Sequence, residues 1–163
     1  MEGRIYQLNT KGRTPGGRGL PKSPVEAVHI GSDGLEGDYN YYRTKKLAGD
    51  TEQAVLLYPL EMIRTLNEEG WPVEPGDLGE NVTTEGLAYQ DFVAGGVYEV
   101  GEALLEVTKP CVPCSNLAAL PYVGEARKRE FIKTLVNRRG WYARVLKEGR
   151  VRPGDRVERV SAN

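Results

Sequence analysis

Residues 97–107 read VYEVGEALLEV, which is two short runs of apolar and alternating side chains on either side of a Gly-Glu pair. Runs of this kind around a glycine-containing turn are typical of a β-hairpin. Residues 4–9 and 24–30 also alternate between polar and apolar side chains, and residues 53–58 form the continuous apolar run of a strand buried on both faces. The sequence around the hairpin therefore predicts the core of a β-barrel or a β-sandwich.

Two segments have the spacing of helices instead. Residues 60–69 carry apolar side chains three positions apart and are followed by a glycine, and residues 125–137 mix charged and apolar residues at helical spacing. Residues 141–146 and 156–160 are predicted to be closing strands. The 20 glycines and 10 prolines are spread over the whole chain, which indicates many turns between short strands. We therefore predict a mainly β fold with a few peripheral helices.

The composition argues against several classes of protein. A length of 163 residues is near the common domain size, so we expect a single domain over residues 1–163. The net charge of −1 provides no field that would attract nucleic acid. No run approaches the roughly 18 apolar residues of a membrane span, and the first residues lead into no signal-peptide core. We expect a cytoplasmic protein with neither nucleic acid nor membrane among its partners.

The strongest chemical signal is at residues 108–117, TKPCVPCSNL, where Cys111 and Cys114 stand between prolines that stiffen the backbone. The thiolate is the reactive and metal-binding form of cysteine. A thioredoxin-like redox pair would open a helix in a βαβ unit, which the strand-rich context disfavours. A zinc site needs about four ligands, whereas the chain has two cysteines and one histidine, His29. Two buried packing cysteines are the remaining alternative.

A series of motifs connects these segments to a known family. In chain order the motifs are GRGLPK (17–22), GLEGD (34–38), AVLLY (54–58), PGDLGENV (75–82), PCSNL (113–117) and GWYARV (140–145). This series resembles the MOSC domain family, which is named after the C-terminal domain of molybdenum cofactor sulfurases, over residues 17–157. The order of the motifs makes the resemblance specific. Its most specific part is GEN directly after PGDL, followed further along the chain by Pro-Cys.

The resemblance implies a β-barrel-like fold that binds a pterin-based molybdenum cofactor. Cys114, in the Pro-Cys motif, is then the catalytic residue and the thiolate ligand of the metal. A soft thiolate ligand suits a transition metal. Cys111 falls where many relatives carry another residue, and is an accessory thiol or a packing residue. The phosphate of the cofactor is bound by N–H groups, Lys or Arg. The resemblance therefore implies that the basic loop with Arg13, Arg18 and Lys22 binds this phosphate. A solvated loop is the alternative.

Two more residues are predicted to contact the cofactor. Asn81 ends the Gly-Glu-Asn motif, and its amide can both donate and accept hydrogen bonds, as the edges of a pterin require. Glu80 beside it could instead hold the turn. Ser115 directly follows Cys114 in the same motif.

One segment departs from the pattern of the family. Relatives of the bacterial type usually carry a His-Gly-Gly-like segment before the Ala-Val strand, where this chain has KLAGDTEQ at residues 46–53. If that histidine delivers protons, this chain needs another acid, such as Asp50 or a tyrosine, or it catalyses a different reaction. We expect His29 to pack or to lie at the surface, and Arg144 to face either the pocket or solvent.

The resemblance leads to two main hypotheses. The first is an oxidoreductase that reduces N-hydroxylated or N-oxygenated small molecules, with electrons from a separate reductase, because the sequence contains no pattern for a flavin, haem or iron–sulfur site. The second is a carrier that holds a persulfide on Cys114, received from a sulfur donor, or that passes the cofactor on. A plain structural domain without bound metal is a third alternative.

Overall fold

The computed structural model describes residues 2–12, 18–39 and 50–160. The strands, in chain order, are β1 (Glu2–Thr10), β2 (Ser23–Val25), β3 (Val28–Gly31), β4 (Gly34–Leu35), β5 (Val55–Pro59), β6 (Val82–Glu85), β7 (Val97–Val100), β8 (Ala103–Pro110), β9 (Trp141–Lys147), β10 (Gly149–Val151) and β11 (Arg156–Arg159). The helices are α1 (Leu60–Glu68) and α2 (Gly124–Thr134), and short 3-10 helices cover Thr51–Gln53, Tyr89–Asp91 and Ser115–Ala119. Within these ranges no helix has the length and apolar character needed to cross a membrane.

Seven of these strands close into a barrel. Their order around the ring is β1, β11, β7, β8, β9, β5 and β6, and the pairing of β6 with β1 completes it. Neighbouring strands run antiparallel except for β5 and β6. Strand β2 pairs with the far end of β1, and β10, β3 and β4 form a separate three-stranded sheet. The prediction of a mainly β, barrel-like fold with a few helices is confirmed.

The parallel pair of β5 and β6 requires a long connection, since a tight turn cannot join parallel strands. Helix α1 supplies it, because it begins directly after Pro59 at the end of β5 and buries Leu60, Ile63 and Leu66. The chain then returns through residues 75–81 to the start of β6. This return brings the PGDLGEN motif to the edge of the barrel where β8 ends and β9 begins.

The buried apolar side chains form two clusters. The first, which includes Ile5 and Leu57, lies among the barrel strands. The second lies beneath the two helices, where the rings of Trp71 and Phe131 are 4.5 Å apart between centroids. This second cluster also takes in side chains from three segments that border the functional site, namely Leu20, Leu78 and Leu117. The helical layer therefore anchors those segments against the barrel.

Three predicted elements differ from the observed ones in their boundaries. The strand predicted at residues 24–30 is divided into β2 and β3, which belong to different sheets, because β2 pairs with β1 and β3 with β10. The alternation changes phase at the break, where the apolar residues Ala27 and Val28 are adjacent. The strand predicted at 53–58 starts at Val55, and the helix predicted at 125–137 ends at Thr134. The hairpin, the first helix and the first and closing strands are confirmed.

Candidate functional site

A cavity of about 310 Å³ lies where β8 ends and β9 begins. Residues 109–114 form one wall of it, and Gly19, Leu20, Lys22, Leu78 and Gly79 form another. Arg139 and Tyr142 line it from the side of β9. Both cysteines of the chain therefore lie at one cavity, together with a buried cation and a phenol.

Two glycines of the PGDLGEN motif allow the second wall to close. Gly76 and Gly79 have positive φ angles of 92° and 80°, a conformation that side-chain-bearing residues rarely adopt. A Cβ atom at Gly76 would collide with the carbonyl oxygen of Lys22, and one at Gly79 would lie 2.9 Å from the carbonyl oxygen of Gly19. The motif thus packs its backbone directly against residues 19–22, which explains why both motifs form one wall.

The segment after β8 presents its two thiols differently. The backbone N–H of Cys111 donates to the carbonyl of Gly140 at 2.8 Å, and its side chain is buried. Cys114 is exposed and directly precedes the 3-10 helix that Leu117 anchors in the second apolar cluster. Both thiols are free. Cys114 is therefore the thiol that an incoming group can reach, while Cys111 has the position of a packing or accessory residue.

Tyr142 places a phenol in the cavity wall beside the buried thiol. The Sγ of Cys111 donates to the Oη of Tyr142 at 3.4 Å. Burial raises the pKa of Tyr142, and the neighbouring Cys111 raises it further. The phenol therefore keeps its proton at neutral pH. A protonated hydroxyl in a cavity wall can donate a hydrogen bond to a bound molecule.

Arg139 is a buried cation that the sequence analysis did not identify. Its side chain is 5% exposed and lines the cavity, and within residues 2–12, 18–39 and 50–160 neither its Nε nor its Nη1 atom has a hydrogen-bond partner. The preceding residue, Arg138, donates two hydrogen bonds of 2.7 and 2.9 Å to the carboxylate of Glu69 near the surface. Two consecutive arginines before a strand look equivalent in the sequence, so nothing in the local pattern marks the second one.

Lys22 and Asn81, which the sequence assigns to cofactor binding, meet at Asp38. The Nζ of Lys22 and the Nδ2 of Asn81 each lie 2.8 Å from the same Asp38 oxygen. The Oδ1 of Asn81 accepts the backbone N–H of Leu56 at 3.0 Å, so both ends of the amide are bonded within the protein. Lys22 lines the cavity. Glu80 accepts a backbone N–H from its own turn at 2.9 Å, which agrees with the turn-holding role considered for it.

The other residues predicted to bind the cofactor are not gathered at this cavity. Arg18 and Ser115 are exposed, and neither is among the described residues that line the wall. Arg13 and residues 46–49, where the chain departs from the family pattern, lie outside the described residues. The roles of these residues therefore stay predictions.

Three residues that the sequence analysis considered for other roles have clear positions. Asp50 accepts the backbone N–H of Glu52 at 2.9 Å and caps the first 3-10 helix. His29 lies at the surface with its Nε2 3.1 Å from a carboxylate oxygen of Glu148, as expected for a packing or surface residue. Arg144 is exposed and bonds a glutamate of β8 at 2.6 Å, so it faces solvent.

Comparison with known proteins supports the resemblance found in the sequence. The model of the MOSC domain family matches residues 44–158. YflK of Bacillus subtilis is 32% identical over 151 residues, which cover 88% of this chain and 63% of YflK. A protein named Reductase from Gibberella moniliformis is 36% identical over 115 residues, which cover 67% of this chain and 20% of that protein. This chain thus spans less than two thirds of the length of either relative.

The fold is also similar to a solved structure. The crystal structure of YiiM from Geobacillus stearothermophilus superposes with a TM-score of 0.71 at 29% identity. The superposition covers 98% of this chain and 75% of that one. The likeness therefore extends over the barrel, the helical layer and the segments that form the cavity.

Proposed function

The chain belongs to the MOSC domain family, and on that premise we propose that its cavity holds a molybdenum cofactor and that the protein reduces small N-hydroxylated or N-oxygenated molecules. One relative that matches part of the chain is named a reductase, which favours an oxidoreductase. The observation that carries the proposal is the exposed thiol of Cys114 in the wall of a cavity that also contains the protonated phenol of Tyr142.

The side chains at the cavity fit a metal that arrives with most of its own ligands. In the part of the chain that the structure describes, no three His, Cys, Asp or Glu side chains come close enough to hold a metal ion. A pterin dithiolene brings its own sulfur ligands, so a single thiolate from the protein completes the attachment. Cys114 would supply that thiolate, and a soft sulfur ligand suits a transition metal better than a carboxylate does.

Tyr142 is the side chain of the cavity that would act in the reaction beside Cys114. The bound cofactor would supply the two-electron chemistry, with electrons delivered by a separate reductase partner. Conversion of an N–OH group into N–H consumes two protons and releases water, so the departing hydroxyl group needs a donor that faces it. The raised pKa of Tyr142 makes it a hydrogen-bond donor and a weak acid, whereas Asp50 is engaged in capping a 3-10 helix. We assign to Tyr142 Oη a hydrogen bond to the departing hydroxyl group.

Lys22 is our proposed contact to an anionic group of the cofactor, because it lines the cavity and carries a charge. Its ion pair with Asp38 fixes the position of the ammonium group. Asn81 would act through the same carboxylate, which it fixes by a hydrogen bond of 2.8 Å. Arg18 and Ser115 are proposed to contact the cofactor from outside this wall.

The proposal is tested by elemental analysis of protein purified from a host that makes the molybdenum cofactor. We expect near-stoichiometric molybdenum in the wild-type protein and its loss in Cys114→Ser. The matched control is Cys111→Ser, which changes the neighbouring buried thiol and should retain the metal. Molybdenum in neither wild type nor control would contradict the proposal, and equal loss from both variants would indicate that the two thiols act as a pair.

Sulfur transfer is the second candidate function, because the exposed position of Cys114 also suits a thiol that must meet a sulfur donor. A carrier would hold a persulfide on Cys114 and would show no substrate turnover. Mass spectrometry of the intact protein would detect the added sulfur, and treatment with a reducing thiol would remove it. Reductase activity with an artificial electron donor would contradict a purely carrier role.

A further inference from the structure

Arg139 has no part in the reaction described above, yet its position indicates that it binds a ligand. Its side chain is 5% exposed, it lines the cavity, and its Nε and Nη1 atoms lack hydrogen-bond partners among the described residues. We propose that Arg139 binds an anionic group of the substrate, so that the substrates are small acids that carry a carboxylate or another oxyanion. Naming the bound anion as substrate rests on the proposed function, whereas the anion site itself does not.

A buried guanidinium without a counter-charge is costly, because burial removes the hydration that stabilises the charge. The guanidinium group of arginine stays protonated in proteins, so the buried side chain of Arg139 carries its charge. Among the described residues no carboxylate forms an ion pair with it. Glu80 interacts with it electrostatically, but the Oε2 of Glu80 accepts its hydrogen bonds from the backbone N–H of Gly76 and the hydroxyl of Thr83. The charge of Arg139 is therefore available to a bound anion.

A second buried atom narrows the chemistry of the ligand. The Oε1 of Gln53 lines the same cavity and, within the described ranges, also lacks a hydrogen-bond partner. A molecule that satisfies both side chains carries an anionic acceptor for Arg139 and an N–H or O–H donor for Gln53. An N-hydroxylated acid meets both requirements.

The anion site is tested by calorimetric titration of inorganic phosphate and of acetate into the full chain, made in a host that lacks the cofactor. At low ionic strength we expect the wild-type protein to bind at least one of these anions. Arg139→Gln should weaken that binding by about tenfold or more, because a charge-assisted hydrogen bond is lost. The matched control Arg144→Gln removes the same charge from the solvent-facing side of β9 and should change the affinity by less than about twofold. Absence of binding in the wild type, or equal weakening in both variants, would overturn the site.

Thermal unfolding separates a binding role for Arg139 from a structural one. Without anion, Arg139→Gln should unfold at a higher temperature than wild type, by about 2–4 °C, because an uncompensated buried charge is removed. Phosphate should raise the Tm of wild type and leave that of Arg139→Gln unchanged. Arg139→Lys retains the charge and serves as a second variant, which should keep part of the phosphate-induced shift. A lower Tm for both variants, with an unchanged response to phosphate, would show that Arg139 only supports the fold.

The cofactor also carries a phosphate, so protein from a host that makes it distinguishes the two sources of the anion. If Arg139 serves the substrate, the loaded protein still binds acetate or phosphate and Arg139→Gln still weakens that binding. If loading abolishes it, Arg139 holds the phosphate of the cofactor and the substrate assignment is wrong. Protein that contains no molybdenum yet binds anions through Arg139 would support the anion site while contradicting the proposed function.

Discussion

The barrel interior and the cavity wall are adjacent, but they bury different kinds of side chain. In the barrel, Ile5 and Leu57 are buried among other apolar side chains. In the wall, Arg139 and Gln53 retain buried polar atoms without partners among the described residues. Each such atom lowers the stability of the folded protein by about 1–3 kcal/mol. A protein retains such atoms where a ligand supplies the missing hydrogen bonds. The interior therefore contributes stability, while the wall gives up stability in exchange for binding.

The largest effect should come from the barrel interior. Leu57→Ala creates a cavity at a fully buried position and should lower the free energy of unfolding by about 2–5 kcal/mol. Urea denaturation of the purified variant measures this loss. Leu146→Ala is the control, since Leu146 is 43% exposed and its truncation should cost less than about 0.5 kcal/mol. Comparable losses at both positions would contradict the assignment of the stabilising core.

Tyr142→Phe should have the opposite profile, with a large effect on turnover and a small one on stability. It removes the hydrogen-bond donor of the wall but keeps the ring, so kcat should fall by about 100-fold while the free energy of unfolding changes by less than about 1 kcal/mol. Steady-state kinetics with an artificial electron donor provide the measurement. Tyr6→Phe, at a residue 45% exposed, is the matched control. An unchanged kcat in Tyr142→Phe would remove this residue from the reaction.

The smallest effect is expected at Arg138, which borders the cavity wall but points toward the surface. Arg138→Gln breaks the paired hydrogen bonds to Glu69 and should lower the free energy of unfolding by about 0.5–1 kcal/mol. Arg139→Gln should instead raise the stability of the anion-free protein. Urea denaturation of both variants under the same conditions shows whether the two changes in the free energy of unfolding have opposite signs. The same sign for both neighbours would mean that Arg139 is not an uncompensated buried charge.

The contribution of Arg138 should also depend on pH. Its side-chain hydrogen bond holds the pKa of Glu69 below the ordinary value of 4.5. A carboxyl group with a lowered folded-state pKa adds stability above its unfolded pKa, and that stability is lost as the pH falls through the folded-state value. The difference between wild type and Arg138→Gln should therefore be constant near neutral pH and shrink below about pH 4.5. A difference that persists or grows in acid would assign it to another interaction.

Much of the fold could be predicted because its strands have recognisable patterns within a few consecutive residues. The hairpin at residues 97–107 became β7 and β8, and the run at 53–58 became the buried strand β5. The adjacent apolar residues Ala27 and Val28 interrupt the alternation within residues 24–30, but they do not show that the hydrogen-bonding partner changes there from β1 to β10. Long-range pairing, which the pattern of one segment does not contain, made that choice.

The candidate site was predictable to the same limited extent. The Pro-Cys motif led to Cys114, which is exposed at the cavity, and the basic loop led to Lys22, which lines it. The amide of Asn81 turned out to be bonded to Asp38 and to a backbone N–H. A motif identifies the residue type at a site, but not whether its polar atoms are already occupied.

Periodicity, turn residues and the order of motifs were enough to indicate a barrel and a thiol site, because these features act over a few neighbouring residues. The difference between Arg138 and Arg139 arose only when the barrel closed and the helices packed against it. One guanidinium then reached a carboxylate near the surface, and the other was buried in the wall of a cavity. Burial and the identity of the partners are properties of the assembled molecule, because they depend on segments that are far apart in the chain.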